Sequence, residues 1–256
     1  MIARCQRRAL FVTLAVTGAA AMTFIPLLAG AQKLADEPSR QEALQRFRVG
    51  QEFMSGEQFE RAAEEFGKAI EFDHLLSIAH YQRGQAFMNL RRYASAAKSY
   101  RDCIEAEREL FALTQTNRFE VDKKRDDEIL ELRRVLDQQS SSLQRVAVEQ
   151  RLRDLQNQRQ RGVTSGSFQA PAQVLLALGS AYFRNGDSDG AEAQWRAAID
   201  ANPKLGEAHN NIAVIYMQTG RFDQALQELT LAEKAGFKVN PQFKADLKDR
   251  AKASKR

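Results

Sequence analysis

Cysteine is almost missing from this chain. It holds two in 256 residues, Cys5 and Cys103. Only Cys103 lies beyond the apolar N-terminal segment, so the remainder cannot close a disulfide within itself and must be held by packing. Helix breakers are scarce as well. There are five prolines and fourteen glycines, and residues 111–161 contain no proline at all. With frequent alanine, glutamine and arginine, that balance favours helix. Catalytic signatures are also missing. The chain has no HExxH, no glycine-rich phosphate loop, no CxxC and no GxSxG, so no catalytic residue and no cofactor is expected. The three histidines, His74, His80 and His209, form no spacing that suggests a metal site. Asn185, Asp187, Asp189 and Gly190 imitate the opening of a calcium loop. The twelfth place, which needs a bidentate glutamate, is Arg196, so the stretch is read as a turn and helix start.

A large charge excess is missing too. The formal net charge of +5 rests partly on Arg4, Arg7 and Arg8. Past residue 31 the chain carries 35 basic against 33 acidic side chains, and residues 244–256 alone hold six basic against two acidic. A nucleic-acid binder needs a basic face on its folded body, and here the excess sits at the two ends. Nucleic acid is therefore excluded as a partner.

What the chain does have begins with an address. Basic residues open Met1–Arg8, an apolar run follows from Ala9 to Leu28, and small residues close it at Ala29-Gly30-Ala31. This is the pattern of a secretory signal with the cut after Ala31. The expectation is an exported protein, periplasmic or secreted. The alternative is a membrane anchor formed by residues 9–28, long enough to span a bilayer if it is kept.

The strongest feature is an internal period. Gly50 and Gly84 lie 34 residues apart, as do Ala62 and Ala96, Phe66 and Tyr100, Ala69 and Cys103. The spacing recurs in Gly179 to Ala213, Ala191 to Ala225, Trp195 to Leu229 and Ala198 to Ala232. Each unit has a small residue, a second twelve later and a third seven after that. Three past the first small slot stands an aromatic: Phe53, Phe87, Tyr182 or Tyr216. Small residues let two helices approach where they cross, and large ones fill the space beside the crossing. Ser55-Gly56-Glu57, Asn185-Gly186-Asp187 and Thr219-Gly220-Arg221 read as the turns between paired helices. One such hairpin cannot bury its apolar face alone, so neighbours must stack.

The segments Val49–Phe53 and Leu178–Tyr182, with Ala191–Ala198, Ala225–Ala232 and Pro203, resemble the tetratricopeptide repeat family. The resemblance implies an all-α solenoid of four helical hairpins, interrupted by a long helical insert. It also implies a groove lined by the first helix of each hairpin, which binds peptide or helical segments of other proteins. Slots four past the first small residue hold Met54, Met88, Phe183 and Met217. Neighbouring groove places hold Phe47, Gln51, Tyr81, Gln85, Leu176, Ser180, Asn210 and Val214. These twelve form the candidate partner-binding set. Methionine adapts to varied partners, but a helix stripe can equally be core between successive repeats. No lysine and arginine clamp for a carboxylate terminus stands among them.

The small-slot ruler fits 43–110 and 172–239. Residues 111–171 form a charged helical, coiled-coil-like insert and linker, with twelve basic and twelve acidic side chains over 105–161. It is expected to form exposed helices projecting from the middle of the solenoid. Ile129, Leu132, Leu136, Leu143 and Val146 follow a three/four spacing, extended by Leu152 and Leu155, which gives a short seam broken near Ser140-Ser141-Ser142. The seam is either a solvated spacer or a contact that joins two copies through residues 111–161. After the repeats, residues 240–256 read as a capping helix with a basic tail, started by Asn240-Pro241 and facing inward with Phe243, Leu247 and Ala251. Together these features predict a non-enzymatic scaffold or adaptor of the cell envelope. The alternative is a homo-oligomeric structural protein joined through the insert, and contact with a membrane is expected only if residues 1–31 stay attached.

Overall fold

Helix-favouring composition produces eleven helices in the described part of the chain, three of them started by a capping side chain. A computed structural model describes residues 34–114, 117–138, 142–161 and 168–254. Residues 1–31, where a signal is expected, lie outside them. The helices are α1 (Glu37–Ser55), α2 (Phe59–Phe72), α3 (Ser77–Asn89), α4 (Tyr93–Thr114), α5 (Arg118–Gln138), α6 (Ser142–Arg161), α7 (Ala172–Arg184), α8 (Ser188–Ala201), α9 (Gly206–Gln218), α10 (Phe222–Lys234) and α11 (Pro241–Ala253). Among the described residues there is no strand. No described helix is long and apolar enough to cross a membrane.

Helix starts follow local chemistry. Asp36 caps α1 by accepting from the Ser39 amide at 2.9 Å, and Asn240 caps α11 by accepting from the Gln242 amide at 2.9 Å. A proline sits in the first turn of each, where its missing N–H costs nothing. Asp187 accepts from the Gly190 amide at 2.8 Å and so starts α8. The calcium-like stretch is thus a turn and a cap.

The hairpins are α1/α2, α3/α4, α7/α8 and α9/α10. They stack in chain order, with α2 on α3, α4 on α7, α8 on α9, and α10 on α11. Because α4 meets α7 directly, the insert leaves the stack at Thr114 and the chain rejoins it at Pro171 without opening the solenoid. All twelve small slots are buried. The reason is steric. A Cβ added to Gly50 would stand 2.6 Å from the Phe66 ring, one on Gly84 2.5 Å from Tyr100, and one on Gly179 2.5 Å from Trp195. The fourth hairpin uses Ala213 with the smaller Leu229, both fully buried. Cys103 occupies its small slot as a filler, 1% exposed, and its thiol donates to the Ser77 carbonyl at 3.2 Å. Burial pushes that thiol far above the usual range.

The insert does not project. Val121, Leu132 and Val135 of α5 and Val148 and Leu155 of α6 are buried. Leu132, Val135, Val148 and Leu155 join one apolar cluster with Leu44, Phe47, Met54 and Ile78 of the first two repeats. Ile129, Leu136 and Leu152 pack on its edge. The expectation of exposed helices is therefore overturned. Charge on a segment usually marks solvent, yet Lys124, Glu128 and Glu131 are buried because each meets a polar partner. The seam has a different register as well. Val146 is 58% exposed and Val148 takes its place inside, while the Leu143 side chain and residues 139–141 lie outside the described set. Ile129, Leu132, Leu136, Leu152 and Leu155 of the seam are thus engaged within the chain, while Val146 is not.

Candidate functional site

The first helices α1, α3, α7 and α9 form one face of the stack, and the candidate residues sit on it at a 34-residue repeat. This face divides into two halves. Over the first repeat it is buried, and over the second it borders the insert. Phe47 is fully buried, with its ring centroid 5.5 Å from that of Phe66. Gln51 is 7% exposed and Met54 3%. These three were expected to line an accessible groove, and that expectation is corrected. Phe47 and Met54 share one apolar cluster with residues of α2, α5 and α6, and Gln51 is buried as well, so none of the three is accessible while the insert is in place. Tyr81, Gln85 and Met88 are half-buried. The Tyr81 hydroxyl accepts from Gln85 Nε2 at 3.1 Å, its ring stands 5.6 Å from that of Tyr100, and burial pushes its pKa up to about 12. Ile78, Tyr81 and Gln82 of α3 face Leu132, Val148, Arg151 and Asp154 of the insert across a small cavity closed by Pro171 and Val174.

Over the third and fourth repeats Leu176 is buried at 6% exposed, and its carbonyl accepts from Trp195 Nε1 at 3.1 Å and from Ser180 Oγ at 3.0 Å. It belongs to the packing, which is a further correction. Ser180, Phe183, Asn210, Val214 and Met217 are half-buried, as Tyr81, Gln85 and Met88 are. Phe183 leans on Trp195 at 5.7 Å, and Met217 lies on the edge of the core cluster. Glu207, in the first turn of α9, has its carboxyl raised by burial. This half is thus a mixed apolar and polar surface with an acidic residue at the start of α9.

The histidines serve packing. Burial lowers the His80 pKa, and its ring nitrogen pairs with the His74 carbonyl at 2.9 Å. His209 meets Glu228 at 2.7 Å. Among the described residues no cluster of three metal-ligating side chains exists.

Four residues of consequence escaped the sequence reading. Lys124 of α5 forms a buried ion pair with Asp73, and Arg151 of α6 forms one with Glu107. Arg151 also stands 3.6 Å from Glu128 and 2.7 Å from Ser77 Oγ. Burial opposes the charge on Arg151, but Glu107 and Glu128 outweigh it and hold the guanidinium firmly protonated. Burial likewise opposes ionisation of Glu107, and the Arg151 charge outweighs it.

A family model described as tetratricopeptide repeat matches residues 176–236, and a second with the same description matches residues 78–110. Those two stretches carry tetratricopeptide repeats. The tetratricopeptide matches cover the second, third and fourth hairpins, and the first shares their packing through Gly50 and Phe66. No curated protein matches the chain. Among solved structures, it is similar to PilW, a widely conserved type IV pilus biogenesis factor, at 17% identity and a TM-score of 0.38, over 86% of this chain and 90% of that one. It is also similar to YrrB, a tetratricopeptide protein with an unusual peptide-binding site, at 18% identity and a TM-score of 0.30, over 86% and 95%. A third is the Hsp90-peptide complex of yeast Sti1, at 18% identity and a TM-score of 0.26, over 76% and 78%.

Proposed function

We propose that this protein is a non-catalytic adaptor of the cell envelope that holds a segment of another protein against its third and fourth repeats. The observation that carries the reading is the partly accessible row Ser180, Phe183, Asn210, Val214 and Met217, on a face where Phe47, Gln51 and Met54 of the first repeat are buried and Tyr81 of the second lines a cavity with the insert. Such a row offers apolar contacts and amide hydrogen bonds to a peptide or helix, the two means by which repeat grooves take a chain. Export rests on the basic, apolar and small-residue pattern of residues 1–31. The test is affinity capture with the mature chain from its native envelope. Val214→Glu and Asn210→Arg should each reduce the captured partner strongly while the helical content and melting temperature stay near wild type. Unchanged capture by both variants would refute the reading.

A further inference from the structure

The slot 23 residues past the first small residue is occupied in the four repeats by Asp73, Glu107, Asn202 and Gly236. The first two repeats carry a carboxylate there, and the last two carry none. Each carboxylate receives one cation from the insert, Asp73 from Lys124 and Glu107 from Arg151. In the third repeat Asn202 needs only its local role, accepting from the Lys204 amide at 3.1 Å, and Asp73 does the same for the Leu75 amide at 3.1 Å with its other oxygen. The acid at this slot is therefore surplus to building a repeat, and it appears where the insert lies. Further pairs run the opposite way: Arg48 of α1 meets the buried Glu131 of α5 at 3.0 Å, and Arg40 approaches Glu120 at 3.9 Å. Around them Leu132, Val135, Val148 and Leu155 fill the apolar part of the contact. Crossed charge pairs that set register around an apolar centre are the anatomy of a binding interface.

We propose that the insert is a ligand bound in cis, and that the surface it covers on repeats one and two, formed by α1 and α3 with Asp73 at the end of α2 and Glu107 of α4, is a second binding site, for a partner helix that carries apolar residues together with a lysine and an arginine for Asp73 and Glu107. Such a partner displaces α5 and α6 and takes over both carboxylates. The site differs from the face of repeats three and four and can be tested without the partner assigned there. The probe is a fluorescent synthetic peptide with the sequence of residues 118–161, added to the full mature chain. The wild type binds it weakly, because its own insert competes at high effective concentration. The Lys124→Glu/Arg151→Glu variant, whose insert is repelled by Asp73 and Glu107, binds the peptide about ten-fold tighter or more. Adding Asp73→Lys and Glu107→Lys to that variant abolishes the gain. Equal binding by wild type and the released variant would overturn the proposal. Should the released variant fail to fold, native-state hydrogen exchange of the wild type decides. The proposal requires residues 118–161 to open in a separate step while α2 and α3 stay protected. Exchange of the insert only together with those helices would overturn it.

Discussion

The indole of Trp195 occupies the space that a side chain on Gly179 would need. Its Nε1 stands 2.5 Å from an ideal Cβ at that position and donates to the Leu176 carbonyl at 3.1 Å. Ring and missing side chain are thus two halves of one device, repeated as Gly50 with Phe66 and Gly84 with Tyr100. Gly84→Ala and Gly179→Ala should therefore destabilise by about 1–3 kcal/mol through overpacking. Urea unfolding midpoints will show it. Joining Gly179→Ala to Trp195→Leu copies the Ala213 and Leu229 pair of the fourth repeat. The double variant should lose less stability than the sum of the two single variants, since the sites are in contact.

Two turns hold side chains where glycine is preferred. Glu57 and Arg91 have φ of 56° and 57°, while the equivalent places in the later repeats are Gly186 and Gly220, at 88° and 74°. A left-handed residue with a Cβ costs about 1–2 kcal/mol, partly offset because glycine leaves the unfolded chain freer. Glu57→Gly and Arg91→Gly should each raise stability by about 0.5–1 kcal/mol, and Gly186→Ala should lower it by a similar amount. Thermal melting at neutral pH is sufficient to check all three.

The two halves of the first-helix face respond differently to a new charge. Met54→Glu places a carboxylate in an apolar cluster where the methionine is 3% exposed, and should cost several kcal/mol. Met217→Glu stands on a half-open surface and should cost under about 1 kcal/mol. Circular dichroism during urea titration separates them.

The insert interface also predicts a pH dependence. Glu128 is buried beside Arg151, Glu107, Lys124 and Asp73, and accepts from Ser77 Oγ at 3.4 Å. Burial pushes its pKa up to about 7, from an ordinary 4.5. The folded chain therefore holds this proton more tightly than the unfolded chain does. The stability it contributes is full below about pH 4.5 and is lost as pH rises to about 7. Glu107 is shifted the other way, so its contribution falls only below its ordinary range. Glu128→Gln should match wild type near pH 5 and exceed it above pH 7, by up to about 3 kcal/mol. Chemical unfolding at the two pH values measures the difference.

The solenoid was legible in the sequence because its packing is periodic. Gly50, Ala62 and Ala69 recur as Gly84, Ala96 and Cys103, and a crossing of two helices tolerates little else there. The insert was only half legible. Its helices follow from composition, but their placement depends on Lys124 meeting Asp73 and Arg151 meeting Glu107, across 51 and 44 residues. Such pairs have no period, and a buried lysine looks like an exposed one until its partner is known. The candidate residues suffered for the same reason. Phe47, Gln51 and Met54 occupy groove slots by register, and nothing local to them reveals that α5 and α6 fill their half of the face.

A photo-crosslinking amino acid at Val214, compared with one at the exposed Gln227 of α10, tests the groove assignment most directly. The protein should form a discrete adduct with another protein from position 214 and none from position 227. Adducts from 227 with none from 214 would contradict it.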